Sequence, residues 1–280
     1  MAGRGRLLVV GTPIGNLGDL TPRAAEALRS ADLVVAEDTR LAARLLAHVG
    51  ARTPAQSFNE HNAATRLPGL LTRLAAGETL ALTTDAGMPA VSDPGAALVA
   101  AARAAGAEVA VLPGATAVTA AMALAGVEAT GFVFGGFLPA RPASARSAAL
   151  ERLLAASGAA GLPLVLYEAP HRMRALLSAL SVGAPGATVA AGRELTKRHE
   201  EMLIGTPAEV ASRLVSPRGE FTVVVSGLPA VEPATATADL DGLVQAGRRE
   251  GLSDRSLVEL LRAAGIARRE AYRLVEAHRS

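Results

Sequence analysis

The segment Arg193-Glu194-Leu195-Thr196-Lys197-Arg198-His199-Glu200-Glu201 crowds cations and carboxylates into consecutive positions. Such groups can accept a proton or steady a developing negative charge, and the same run also suits a solvated charged loop. His61, in Ser57-Phe58-Asn59-Glu60-His61-Asn62, is a second candidate base, or a structural histidine held by hydrogen bonds. A different chemistry is written into Leu7–Thr21, LLVVGTPIGNLGDLT. There, apolar residues run into a turn of glycines, proline, asparagine and aspartate, and Pro22 opens a helical pattern. A buried strand feeding a glycine-rich turn brings bare backbone against a ligand. Gly11, Gly15 and Gly18 lack the spacing of the dinucleotide fingerprint, and no Lys-Ser/Thr pair follows to make a phosphate loop.

Three further loops of small residues fall at expected strand ends: Thr84–Gly95, Pro113–Ala117 and Tyr167–Arg172. Carboxyl ends of parallel strands are where open α/β sheets hold ligands. Four such loops, counting the first turn, point to one shared cleft, although glycine and proline also punctuate ordinary tight connections. His171-Arg172, at an expected helix start, suits an anion. Asp85 is a candidate ligand contact or a loop-capping aspartate. Glu37-Asp38, after the second expected strand, suits a substrate-side or structural role.

The elements that must position these residues alternate. Strands are expected at Leu7–Val10, Leu33–Ala36, Thr79–Thr83 and Glu108–Leu112, with helices at Pro22–Ser30, Arg40–Val49, Ala63–Ala76, Ala96–Ala105 and Ala117–Ala125. Gly50, Gly77, Gly106 and Gly126 follow helical runs as left-handed caps, and Thr21-Pro22 is a capping start. This alternation implies a mostly parallel sheet covered on both faces. Gly131–Leu138 is read as a strand leading to a hinge at Pro139–Ser147. A second α/β unit follows: helix Ser147–Ala156, strand Leu162–Tyr167, helix His171–Leu180, strand Thr188–Ala191, a charged loop, helix Pro207–Val215 and strand Glu220–Ser226. Leu228–Ala238 reads as a linker. Helices follow it, one capped by Ser253 and ended by Gly265, another over Ile266–Ala277.

At 280 residues the chain can hold one large or two modest domains. It has no cysteine, which excludes disulfides, thiolate nucleophiles and cysteine-ligated metals. His48, His61, His171, His199 and His278 are scattered, and no metal site is expected. Aromatics are 2%, too few for nucleic-acid binding carried mainly by base stacking. A net charge of +2 and a pI near 9.6 permit an RNA partner without requiring one. The uncharged stretch Val109–Val127 carries Pro113-Gly114 and weakly apolar residues, so strand, turn and buried helix are expected there rather than a membrane span. The apolar run at the N-terminus is too short for a signal peptide, and a soluble cytoplasmic protein is expected.

GTPIGNLGDLTPRA, EDTR, SFNEHN, TDAGMPAVSDPG, PGATA, GFLP, YEAPHR, GRELTKRHEE and GEFTVVV occur in that order. Together they resemble the ribosomal small subunit methyltransferase I family over roughly Leu7–Gly227. The resemblance implies S-adenosylmethionine as cofactor and 2′-O-methylation of a decoding-centre cytidine in 16S rRNA, with the assembled 30S subunit as expected substrate. It implies the tetrapyrrole-methylase fold: two α/β domains, 1–138 and 139–228, with a linker and small helical tail at 229–280. It also implies a homodimer.

By motif, Gly11, Thr12 and Pro13 border the cofactor cleft, Asp85, Gly87 and Val91 form its second loop, and Thr116 and Ala117 its third. Leu166 and Tyr167 line it from the second domain. This class meets its cofactor largely through backbone groups, which accounts for glycine and proline there. Met88 and Ala90 stand where relatives often carry threonine and glycine. For this reaction Lys197 could stabilise the alkoxide, and Glu194 or Glu200 could orient the hydroxyl or take its proton. RNA contacts are expected from Arg141 and Arg146 at the hinge, Arg193, Lys197 and Arg198 near the site, and Arg268 and Arg269 in the tail. The tail carries eight arginines against seven acids; its helices resemble a helix-turn-helix docked on RNA, or a packing or dimerisation unit. Two other functions remain open on the sequence: a methylase of a tetrapyrrole or protein side chain, and a non-catalytic RNA-binding assembly factor.

Overall fold

The computed structural model describes residues 5–90, 94–215, 218–229, 240–263, 266 and 268–278. The chain forms two compact units, Met1–Pro229 and Ala230–Ser280. In the first unit, β1 (Arg6–Val10), α1 (Pro22–Ser30), β2 (Leu33–Ala36), α2 (Thr39–His48), β3 (Ala55–Ser57), α3 (Ala63–Ala75), β4 (Thr79–Leu82), α4 (Gly95–Ala104) and β5 (Glu108–Leu112) build one layered sheet. Its strand order is β3-β2-β4-β1-β5, and every pairing is parallel.

Strand side chains alternate between two cores. Leu8, Val34 and Ala81 meet Leu28 and Leu45 of α1 and α2, whereas Leu7, Val35 and Leu80 meet Leu74 and Leu98 of α3 and α4. Burial on both faces explains why these strands read as continuous apolar runs. The caps are as expected: the Thr21 hydroxyl accepts from the Ala24 N–H at 3.2 Å. Gly50, Gly77, Gly106 and Gly126 have φ of 67°, 90°, 77° and 61°. The strand β3 is missing from the sequence reading. It is three mostly polar residues at the sheet edge, paired with β2.

A second sheet comprises β6 (Val133–Phe137), β7 (Leu164–Glu168), β8 (Thr188–Arg193), β9 (Glu201–Gly205) and β10 (Phe221–Ser226), in order β6-β7-β10-β8-β9. Here the parallel expectation fails. β6 and β7 are parallel, but β10 runs antiparallel to both β7 and β8, and β8–β9 is a hairpin. Seven residues join β8 to β9, too few for the crossover a parallel pair needs. The segment read as a charged loop is therefore the hairpin tip, and β9 follows it.

Helices α6 (Ala143–Ala160), α7 (Met173–Gly183) and α8 (Pro207–Arg213) cover one face of this sheet, around Leu166, Leu177 and Val223. The other face receives α5 (Ala117–Ala125) and Ile14 from the first turn, packed on Val165, Ala190, Leu195 and Val224. Thus the first half of the chain supplies a wall of the second sheet. The stretch Val109–Val127 is strand, turn and packed helix, as the sequence reading has it. Among the described residues no helix is long and apolar enough to cross a membrane.

The second unit holds three helices, α9 (Leu240–Arg249), α10 (Asp254–Ala263) and α11 (Arg268–Ala277), around Val244, Leu257, Leu261 and Val275. Ser253 caps α10 by accepting from the Ser256 N–H. α9 is additional to the two helices expected. Gly265 and most of the linker lie outside the described residues.

Candidate active site

Close backbone approach builds the floor of the cleft. A methyl on Gly11 would lie 2.5 Å from the Gly114 nitrogen and 2.7 Å from the Met88 sulfur. The loops after β1 and β5 therefore meet with nothing but glycine between them. Thr12 ties in the loop after β4: its N–H donates to the Gly87 carbonyl at 2.8 Å, and its hydroxyl lies 3.2 Å from the Thr84 and Gly87 carbonyls. Asp85 accepts the Asp38 N–H at 3.0 Å, joining this loop to the start of α2. Asp85 thus has the loop-tying role and also lines the cleft. Asp38 caps α2 and pairs with Arg40 at 2.6 Å, and that hydrogen bonding holds its carboxyl down to about 2.

A cavity of about 670 Å³ opens between the first sheet's loops and the second sheet. Asp85, Gly87, Thr116, Ala117 and Tyr167 line it, together with Ile14, Met88, Phe134 and Phe137. Thr116 caps α5 by accepting from the Thr119 N–H. The Tyr167 ring stands edge-on to Phe134 at 5.1 Å and tilted to Phe137 at 5.4 Å, and burial pushes its hydroxyl pKa up. Apolar and aromatic walls beside exposed backbone suit a ligand with a flat ring and a short polar chain. Thr12 and Pro13 line a smaller cavity of about 490 Å³. Gly11 lies beneath the loops, and Leu166 is wholly buried on the other face of β7. Val91 lies outside the described residues.

Ala90, in the β4 loop, has φ of 69°. A left-handed conformation costs an L-residue about 1–2 kcal/mol, partly offset in a glycine variant by the freer unfolded chain. Ala90→Gly is expected to raise stability by about 0.5–1 kcal/mol in denaturant titration.

The hairpin tip brings a cation between two carboxylates. Lys197 Nζ lies 2.9 Å from Glu194 Oε1 and 2.9 Å from Glu220 Oε2. The Glu220 N–H donates to Glu194 Oε1 at 3.0 Å, and the Glu194 N–H to the Glu220 carbonyl at 3.0 Å. Glu200 accepts the Thr196 N–H at 2.6 Å, so it braces the tip. Glu194 and Thr196 both have positive φ, 50° and 64°. Backbone strain of this kind persists only where its surroundings over-determine it, and these hydrogen bonds supply that. Burial pushes the Glu194 carboxyl up, but the Glu220 N–H and the Lys197 ammonium outweigh it and leave the pKa lowered. For Lys197, burial pushes down, and hydrogen bonds to Glu194 and Glu220 prevail and raise it. The site therefore holds a protonated ammonium beside the ionised Glu194, with Glu220 on its other side. Gly15 abuts this tip: a methyl there would meet the Lys197 stem and lie 2.9 Å from the Leu195 carbonyl.

Glu220 is the residue the sequence reading missed. It opened an apolar strand motif, and only the antiparallel return of β10 places it beside Glu194. The reading of His171-Arg172 as an anion site is corrected by the geometry. Arg172 Nε lies 2.6 Å from the buried Glu168 carboxylate, and its Nη1 donates to the Leu138 carbonyl, so the guanidinium is committed internally. His61 is exposed on the turn before α3 and lines neither cavity. Arg193 pairs with Glu201 at 2.9 Å, while Arg141 and Arg198 are exposed and Arg146 half-buried. Arg268 and Arg269 are exposed in the second unit, Arg268 lying 6.0 Å over the Tyr272 ring. Among the described residues no cluster of three or more metal-ligating side chains occurs.

The family of Tetrapyrrole (Corrin/Porphyrin) Methylases matches residues 6–211. The chain is 39% identical to ribosomal RNA small subunit methyltransferase I of a Synechocystis strain, across 96% of this chain and 97% of that one. It is 42% identical to the protein of the same name from Xylella fastidiosa, across 85% and 87%. The crystal structure of a cobalt precorrin-4 methyltransferase superposes with a TM-score of 0.61 at 17% identity, over 79% of this chain and 94% of that one, a likeness of fold. With the methylase family model spanning most of the first unit and relatives matched along nearly their whole length, the chain belongs to the ribosomal RNA small subunit methyltransferase I family of the tetrapyrrole-methylase superfamily.

Proposed function

We propose that this protein methylates the ribose 2′-oxygen of a decoding-centre cytidine in small-subunit rRNA, with S-adenosylmethionine as donor. The observation that carries this reading is the Lys197–Glu194–Glu220 cluster, whose Glu220 lines a cavity walled by backbone and aromatic rings. That cavity fits the donor, with Phe134, Phe137 and Tyr167 for a flat ring and bare backbone at Gly87, whose φ of 83° disfavours a side chain. When bound, the donor supplies an electrophilic methyl on sulfur.

Asp85, Gly87, Thr116, Ala117 and Tyr167 would hold it, on a floor fixed by Gly11 and Thr12. Lys197 donates to the ribose oxygen as that oxygen gains negative charge. Glu194 and Glu200 hold the tip in place, and Glu220 accepts the hydroxyl's hydrogen. Holding the hydroxyl in line is the larger contribution, since alignment alone can supply about 7–11 kcal/mol of barrier reduction. The two sheets act as two domains divided near Leu138. The protein works as a homodimer on the assembled subunit in the cytoplasm, where ribosomes mature. Arg141, Arg146, Arg193 and Arg198 steer RNA to the cleft. Arg268 and Arg269, on an α11 face shared with Arg273 and the half-exposed Tyr272, give the tail a basic, stacking-competent surface.

Labelled methyl transfer from the donor to purified small subunits tests this reading, with primer extension locating the mark. Transfer to a base, to protein or to a tetrapyrrole, with no ribose mark, refutes it. The pH dependence is a separate prediction. The lowered Glu194 is ionised throughout the range above its ordinary value of 4.5, losing that charge as pH falls through the lowered pKa. The raised Lys197 keeps its proton throughout the range below its ordinary value of 10.5, losing it as pH rises through the raised pKa. Neither group changes charge between those limits, so kcat/KM between pH 6 and 9 is expected to show no inflection from this pair. An inflection there that vanishes in Lys197→Arg contradicts the assignment.

A further inference from the structure

The reaction proposed above needs two reactants, and the first unit has a second cavity that the methyl donor does not account for. The smaller cavity, about 490 Å³, shares Ile14, Thr84, Asp85, Ala86 and Glu220 with the larger one, so the two adjoin along these residues. Lys197 lines the smaller cavity, and Glu220 lines both. The lining is mixed. Ala36, Ala42 and Leu45 give it an apolar floor, while Asp38, Thr83 and Thr84 add hydrogen-bonding groups. Leu17 and Leu41 also line it and are 44% and 38% exposed, leaving apolar surface at the mouth without a protein partner. A flat, polar-edged ring on a sugar fits such a lining, and RNA presents one when a base is splayed out of its stack.

Arg44 lies on the same side of α2, lining this cavity. One turn earlier, Arg40 is fastened to Asp38 by hydrogen bonds at 2.6 Å and 3.1 Å. Arg44 is exposed, and among the described residues no carboxylate or carbonyl engages its guanidinium. A free guanidinium beside a nucleoside-sized recess matches a phosphodiester, whose oxygens it can take two at a time. Of the acids lining this cavity, Asp38 pairs with Arg40, Asp85 accepts the Asp38 N–H and Glu220 pairs with Lys197. We infer that the smaller cavity seats the nucleoside to be methylated, with Leu17 and Leu41 against its base and Arg44 on the adjoining phosphate. This rests on the function proposed above.

Three variants test it against wild type: Arg44→Ala, Arg44→Lys and Leu41→Trp, the last placing a large ring into the cavity mouth. For all three, calorimetry with S-adenosylhomocysteine should give wild-type affinity, because none lines the larger cavity. Arg44→Ala should raise KM for small subunits about tenfold at unchanged kcat, as expected for one lost charged hydrogen-bonding contact. Its salt dependence, log(kcat/KM) against log[salt], should flatten by roughly 0.7–0.9. Arg44→Lys should restore the slope but only part of the KM. Leu41→Trp should lower kcat/KM about tenfold or more, the cost of a blocked charged and apolar contact surface. Wild-type KM and salt slope in Arg44→Ala, or wild-type activity in Leu41→Trp, overturns the inference while leaving the function standing. A wild-type chain that neither binds S-adenosylhomocysteine nor methylates subunits overturns the function and the inference together.

Discussion

Lys197→Met lowers kcat for methyl transfer by about 10²–10³-fold, the usual cost of removing a pre-placed donor from a developing oxyanion. Methionine keeps the unbranched stem that Gly15 packs against and removes only the charge. The fold should tolerate the change. Of its two partners, Glu220 is 75% exposed, a pairing that contributes at most about 1 kcal/mol, and the 24% exposed Glu194 keeps the Glu220 N–H as a hydrogen-bond donor. S-adenosylhomocysteine affinity is expected to hold, since Lys197 lines the smaller cavity and not the larger. Loss of kcat with donor binding intact is therefore the signature of a group acting on the acceptor oxygen. If Lys197→Met retains wild-type kcat, the ammonium has no role in the chemistry, and the cluster is a brace for the hairpin tip. Unfolding, seen as a lost thermal transition, would show the tip to be structural in another sense, and Lys197→Arg would then separate charge from shape.

Gly11→Ala has the second large expected effect, and it acts on the scaffold. A methyl at Gly11 overlaps the Gly114 backbone and the Met88 side chain. The sulfur can swing away, but the Gly114 nitrogen belongs to the loop that starts α5, and it moves only if the β1 and β5 loops part. Overpacking of this kind costs about 1–3 kcal/mol, on the order of 2–12 °C in Tm for a unit of this size. Parting those loops also displaces Thr12, whose hydrogen bonds to Thr84 and Gly87 anchor the β4 loop. Donor affinity should then fall together with stability, measurable by calorimetry below the transition. Gly18→Ala is the control. Gly18 sits in the same turn with only the Asn16 side chain near it, at 3.2 Å or more, so its variant should keep both properties. A Gly11→Ala protein with wild-type Tm and donor affinity would show that the two loops are not in contact in solution.

Much of the first sheet was legible from residues alone. β2 and β5 have the expected limits, as do α1 and α5. Apolar runs bounded by capping threonines and left-handed glycines leave the chain few local alternatives. Local signals faded where the structure depends on partners. β3 is short and polar because its edge position buries little, so it carries no strand pattern. α6 extends from Ala143 to Ala160, beyond the expected Ser147–Ala156, because its alanines and serines give almost no periodicity to read. β9 was hidden by the charges before it, which belong to a hairpin tip. The loops that line the cavities were legible as well, since each sits at a strand end and is made of residues with little side chain.

What the sequence determined by itself was the set of locally encoded parts: strands, helices, their caps, and a glycine-rich turn bearing the motifs of its family. Tertiary structure decided which parts meet. The antiparallel run of β10 sets Glu220 beside Lys197, and α5 with Ile14 forms a wall of the second sheet, so one cleft has two chambers. Propensity and capping act within a few residues of the chain. These meetings join residues from 23 to more than 200 positions apart, and pairing and packing alone specify them.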